Sequence, residues 1–128
     1  MTFRLSQKSL SRLQGVHPHL VAVVKRAIEI TEIDFMVTEG LRTKERQAEL
    51  VKKGASKTMN SKHLTGHAVD LAAMVGSEIR WDWPLYHKLA AAMKRAAAEQ
   101  GTKITWGGDW RTFKDGPHFE VDPKVYPF

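Results

Sequence analysis

Apolar residues recur at Leu20, Val23, Val24, Ala27 and Ile28, the i, i+3, i+4, i+7, i+8 spacing that predicts a helix buried along one stripe. Pro18 suits its first turn, where a missing N–H costs nothing. Before it, Ser6 can cap a short helix that runs to about Leu13 and stops at Gly15. A second stripe, Leu85, Leu89, Ala92, Met93 and Ala96, marks the clearest helix of the chain. Asp82 and Pro84 open it, and Gly101 stops it after Gln100. Between these helices, 33–38 is apolar and β-branched and reads as a strand broken by Gly40. The stretch 43–51 reads as a helix ended by Gly54. The polar stretch 54–66 reads as an exposed loop. Residues 68–72 alternate, with Val69 and Leu71 on one face and Ala68, Asp70 and Ala72 on the other; this predicts a strand that presents Asp70 into a cleft. Short strands are expected at 104–106 and 117–121, around a Gly-rich turn. Helices and strands do not alternate regularly, so an α+β fold with a small antiparallel sheet is expected rather than a doubly wound one.

Composition adds bounds. A chain of 128 residues, 42% hydrophobic and 27% charged, predicts one folded domain over 1–128. The absence of cysteine excludes thiol nucleophiles, cysteine zinc sites and disulfides. The net charge of +6 favours polyanionic surroundings: nucleic acid, anionic lipid or an acidic wall polymer. Lys52, Lys53, Lys57 and Lys62 contribute to it, although an exposed loop is also ordinarily solvated by lysines. No stretch approaches the ~20 apolar residues of a membrane span. The N-terminal residues carry no long apolar run, so a cytoplasmic product without a signal peptide is expected.

The residues that carry chemistry form a split cluster: His63 and Asp70 in one segment, Asp115 and His118 in another. Two imidazoles and a carboxylate suit an open Zn²⁺ site, which keeps a position for water; the same ligands also accept Mn²⁺ or Co²⁺. A charge at Asp70 interrupts an apolar strand, and carboxylates are rarely buried unless paired or metal-bound. His63 follows a polar loop and precedes a glycine, so it is expected to be exposed unless something ties it down. His67 lies four residues after His63 and offers a rival helical zinc pair, but Gly66 and Val69 weaken a helix there, leaving it an outer or solvent role. His17, His19 and His87 lie far from this cluster along the chain and read as surface histidines. Asp115 and Glu120 are both candidates for a general base beside the third ligand His118. The Arg42 guanidinium could grip a substrate carboxylate or a developing oxyanion with two parallel bonds. Trp106, Trp110 and Phe113, around Gly107-Gly108-Asp109, are candidates to line a cleft. Together these residues point to a small zinc hydrolase.

Four ordered motifs sharpen that expectation. Ser61-Lys62-His63, Gly66, Ala68 and Asp70 resemble the Ser-x-His-x-x-Gly-x-Ala-x-Asp signature of the M15 zinc peptidases. Asp115-x-x-His118 resembles their acidic-x-x-His element, and Gly40-Leu41-Arg42-Thr43 their Gly-x-Arg-Ser/Thr segment. Trp106-Gly107-Gly108-Asp109-Trp110 is similar to the Trp-Gly-x-Asp-Trp segment of the phage endopeptidase branch. The resemblance implies a Hedgehog/DD-peptidase-like α+β fold, with helices around a small antiparallel sheet and a zinc cleft. It implies His63, Asp70 and His118 as zinc ligands, Asp115 as base and Arg42 as substrate or oxyanion clamp. Ser61, Trp106 and Asp109 would contact substrate. The implied activity is that of an endolysin: hydrolysis of the L-alanyl-D-glutamate bond of peptidoglycan, leading to host lysis. A monomer with no separate wall-binding domain is expected, held in the host cytoplasm until a holin releases it. A D-alanyl-D-alanine carboxypeptidase or dipeptidase would share the zinc site. A basic nucleic-acid-binding domain would account for the charge but not for the histidine–carboxylate set.

Overall fold

The computed structural model describes residues 3–56, 59, 61–112 and 114–126. The elements run α1 (Gln7–Arg12), α2 (Pro18–Ile30), β1 (Asp34–Glu39), α3 (Lys44–Lys52), β2 (Ala68–Val75), β3 (Glu78–Arg80), α4 (Trp83–Gln100), β4 (Ile104–Trp106) and β5 (His118–Val121). Single 3₁₀ turns form at Lys62–Thr65 and Gly107–Asp109. The caps act as their residue types require. The Ser6 hydroxyl accepts the Ser9 N–H at 3.1 Å, and Thr43 accepts from Arg46 at the head of α3. Asp82 occupies the cap position of α4 but makes no cap bond; its carboxylate pairs with Arg80 at 2.8 Å.

The sheet is antiparallel in the order β1-β2-β5-β4, with β3 added to the far end of β2. Register divides it into two chemically different faces. Phe35 faces Ala73, Val37 faces Leu71, and Val69 faces Phe119, which in turn faces Trp106. These residues are buried and join the α2 stripe (Leu20, Val23, Val24, Ala27) and the α4 stripe (Leu89, Met93, Ala96) in one core. The period-2 geometry of strands sends the alternate residues Ala68, Asp70, His118 and Glu120 to the opposite face. One face of the sheet thus holds the fold together and the other carries the polar groups.

Two local expectations change. β2 continues to Val75, beyond the predicted 68–72, and turns through Gly76-Ser77 into β3. Every residue of β3 is exposed, so it has no apolar alternation to read. The polar 54–66 segment is not exposed throughout, because its second half coils into the turn at Lys62–Thr65 and buries His63 to 2% exposure. Ala68 and Ala72, on the same face as Asp70, are fully buried as well.

Candidate metal centre

His63 owes its position to the turn that carries it. Ser61 caps the turn by accepting the His63 N–H at 3.2 Å, and Gly66 closes it in the left-handed region at φ +75°. A side chain at Gly66 would also meet the Gly15 carbonyl, 2.3 Å from an added Cβ. The His63 carbonyl accepts from the Arg42 backbone at 2.9 Å, and its ring Nδ1 donates to the Gly40 carbonyl at 2.9 Å. These bonds tie the loop to the end of β1 and hold the imidazole inside the protein. Asp70 and His118 arrive by strand pairing, since Asp70 of β2 lies directly opposite His118 of β5.

The three side chains converge. His63 Nε2 and His118 Nδ1 each lie 3.3 Å from the same oxygen, Asp70 Oδ1. One ligand atom from each residue falls within 4.8 Å of the others, a group that could hold a metal ion. The far ring nitrogens are anchored elsewhere: His63 Nδ1 on Gly40 and His118 Nε2 on Glu120 Oε1, at 2.7 Å. An N–H donated to each anchor leaves His63 Nε2 and His118 Nδ1 as the nitrogens that face Asp70; His118 Nδ1 donates to the carboxylate in the metal-free protein and would give up that proton to a metal. His63 Nε2 is off-line for a hydrogen bond to Asp70. Among the described residues it is the one buried side-chain nitrogen or oxygen with no such partner. A nitrogen left in that state beside a carboxylate and a second imidazole fits a divalent cation with nitrogen and oxygen ligands.

The electrostatics agree. Burial pushes the Asp70 carboxyl up, but the hydrogen bond from His118 and the two imidazoles close against it outweigh that and hold the group far below the usual carboxylate range. Burial lowers His118, yet Asp70 and Glu120 outweigh that and raise it to about 9. Glu120 is buried too, but His118 and Lys62 keep it below its ordinary value. Lys62 Nζ donates to Glu120 Oε2, which completes a chain from Lys62 through Glu120 to His118. Glu120 therefore backs His118 from the side away from Asp70. Replacing Glu120 with Ala should weaken metal binding by about 10- to 100-fold, read by competition with a zinc chelator, because the His118 ring loses the acceptor that orients it.

A cavity of about 790 Å³ opens over this group, walled by Glu39, Arg42, Ser61, Lys62, Trp110, Lys114 and Asp115 together with the three converging residues. Asp115 is half-buried there and its carboxylate makes no hydrogen bond or ion pair among the described residues. Burial, and then the charge of Asp70, push its carboxyl above the ordinary value. Arg42 is buried to 9% exposure and differs from the freely gripping arginine expected. Its fork already engages Glu39, at 2.8 and 2.9 Å, and it donates to Gln47 at 2.7 Å while lying 3.6 Å from Asp70. Gln47 and Glu39 carry no motif of their own, and only this network exposes their part.

Of the other expected contacts, Ser61 lines the cavity, whereas Trp106 and Asp109 do not. Trp106 packs in the core on Phe119 and donates its indole N–H to the Gly116 carbonyl at 2.7 Å, and Asp109 pairs with Lys94 on the surface. Trp110 takes the cavity position, its ring 5.1 Å from that of His118. Phe113 and Lys57 lie outside the described residues. His67 joins His17, whose ring also meets His19 and Tyr126, in a separate aromatic cluster.

Gly107 is the glycine the site depends on most directly. Its carbonyl accepts the Asp115 N–H at 3.0 Å, and an added Cβ would lie 2.3 Å from the Asp115 carbonyl oxygen and 3.1 Å from His118 Cβ. Gly107→Ala should therefore cost about 1–3 kcal/mol in a denaturant melt, the price of overpacking, and displace the Asp115–His118 segment.

Residues 1–125 match the family model for phage L-alanyl-D-glutamate peptidase. The chain belongs to that family. It is 33% identical over 130 residues to the L-alanyl-D-glutamate peptidase of Escherichia phage T5, covering 98% of this chain and 94% of that one. It is 32% identical to the peptidoglycan L-alanyl-D-glutamate endopeptidase CwlK of Bacillus subtilis strain 168, over 78% of this chain and 68% of that one. The crystal structure of the Serratia marcescens L-Ala D-Glu endopeptidase ChiX superposes with a TM-score of 0.92 at 45% identity, covering 98% of this chain and 95% of that one. The family thus agrees with the resemblance read from the motifs, and the superposition with the expected α+β class. No helix among the described residues is long and apolar enough to cross a membrane.

Proposed function

We propose that the protein is a zinc-dependent endopeptidase that hydrolyses the L-alanyl-D-glutamate bond of the peptidoglycan stem. The observation that carries this reading is the convergence of His63, Asp70 and His118 beside the uncommitted Asp115 in a single cavity. His63 Nε2, Asp70 and His118 Nδ1 would hold the ion. Zinc there supplies Lewis-acid activation of water near neutral pH. Asp115 is the general base: it takes a proton from the attacking water and returns it to the amine of the departing glutamate. A carboxylate that no other side chain holds is free to do both. Glu120, engaged by His118 and Lys62, is not. Arg42, fixed by Glu39 and Gln47, adds a stationary positive charge near the developing oxyanion rather than a bidentate grip on substrate. Ser61 and Trp110 border the bound peptide.

The biological role that fits is lysis of the host wall by a monomer stored in the cytoplasm and released through a holin. Mass spectrometry of digested peptidoglycan, with wild type and Asp115→Ala side by side, tests the chemistry. The wild type should free the stem between alanine and glutamate, and the variant should not. Loss of a terminal D-alanine instead would replace this reading with a carboxypeptidase.

A further inference from the structure

Three cations stand on the cavity wall, and two of them are committed. Arg42 is gripped by Glu39, and Lys62 donates to Glu120. Lys114 has no carboxylate partner among the described residues, and its Nζ donates only to the Gly108 carbonyl, at 3.3 Å. It is exposed and immediately precedes Asp115. A lysine ammonium is a compact point charge that gains most from an anion brought to it.

The endopeptidase reading, on which this inference rests, brings such an anion to a defined place. In the stem the chain continues through the γ-carboxyl of D-glutamate. Its α-carboxyl is left as a carboxylate or, in amidated walls, as the amide of D-isoglutamine. That group hangs from the same carbon as the nitrogen of the bond to be cut. Asp115 returns its proton to this nitrogen, so the residue beside Asp115 is well placed to meet the group beside the nitrogen; adjacent residues lie about 3.8 Å apart at Cα. We propose that Lys114 forms a subsite for the α-carboxylate of the departing D-glutamate, and that the enzyme therefore prefers stems with D-glutamate over stems with D-isoglutamine.

The experiment compares kcat/KM on two synthetic peptides, N-acetyl-L-alanyl-γ-D-glutamyl-L-lysine and its α-amide. The wild type should favour the carboxylate by about fivefold to tenfold, mainly through KM, the size expected of a charge-assisted bond that stays partly solvated. Lys114→Met should bring the ratio close to one, and Lys114→Glu should invert it. Lys88→Met, which removes an exposed charge of α4 outside the cavity, should keep the wild-type ratio. A ratio is read within each variant, so a partial loss of folded protein does not alter it. The subsite is overturned if the wild type cuts both peptides equally, or if Lys114→Met keeps the full preference. If the wild type cuts neither, the endopeptidase reading fails and the subsite with it.

Discussion

Asp115→Asn should lower kcat on peptidoglycan by about 10²–10⁴-fold, the range for removing a positioned general acid–base group. The substitution keeps the size of the side chain and removes its ability to accept a proton. Asp115 carries no hydrogen bond or ion pair that the fold needs, so the variant should melt like the wild type and bind as much metal. Its backbone anchor to Gly107, at 3.0 Å, is untouched. Loss of turnover with stability and metal content intact would assign the proton transfer to this carboxylate. Glu120→Gln is the matching control, because its carboxylate faces His118 and Lys62. If Asp115→Asn retained full turnover while Glu120→Gln lost it with metal still bound, the roles would have to be exchanged.

Removal of metal should abolish activity, and Asp70→Ala should weaken metal binding by more than the roughly 100-fold upper figure for an outer partner of a ligand. Asp70 Oδ1 sits 3.3 Å from both imidazoles, so its loss takes the carboxylate from the group and leaves only the two rings. Dialysis against a chelator followed by titration with Zn²⁺, Mn²⁺ or Co²⁺ would identify the ion that restores cleavage. Binding should also be linked to protons. In the metal-free protein the carboxylates of Asp70 and Glu120 hold His118 at about 9, so at pH 7 its ring carries a proton that a metal must displace. Affinity should accordingly rise by up to tenfold per pH unit until pH passes about 9, and then level off. Calorimetry in buffers of different ionisation enthalpy should report close to one proton released from His118 at pH 7. A pH-independent affinity would contradict this.

Much of this was legible in the chain itself. The stripes of α2 and α4 and the alternation of β2 follow from burial periodicities that need no tertiary knowledge. Asp70 stood out because a charge in an apolar strand requires a partner. The chain alone points to Trp106 as the substrate contact, although Trp110 flanks the same glycines; only the packing on Phe119 sends Trp106 to the core and leaves Trp110 at the cavity. His63 looked exposed because its loop is polar. The bonds that bury it come from Gly40 and Arg42, about twenty residues earlier in the chain, and local composition carries no record of them.

The helices, the central strands, the ligand types and their order can all be read along the chain. Only in the folded protein do Asp70 and His118 come to share a rung of the sheet, Glu39 to occupy the fork of Arg42, and Glu120 to stand behind His118. The physical reason is range. Periodicity and capping act within a few residues, whereas register and ion pairing join groups far apart in the chain, through distances that exist only once the core has closed.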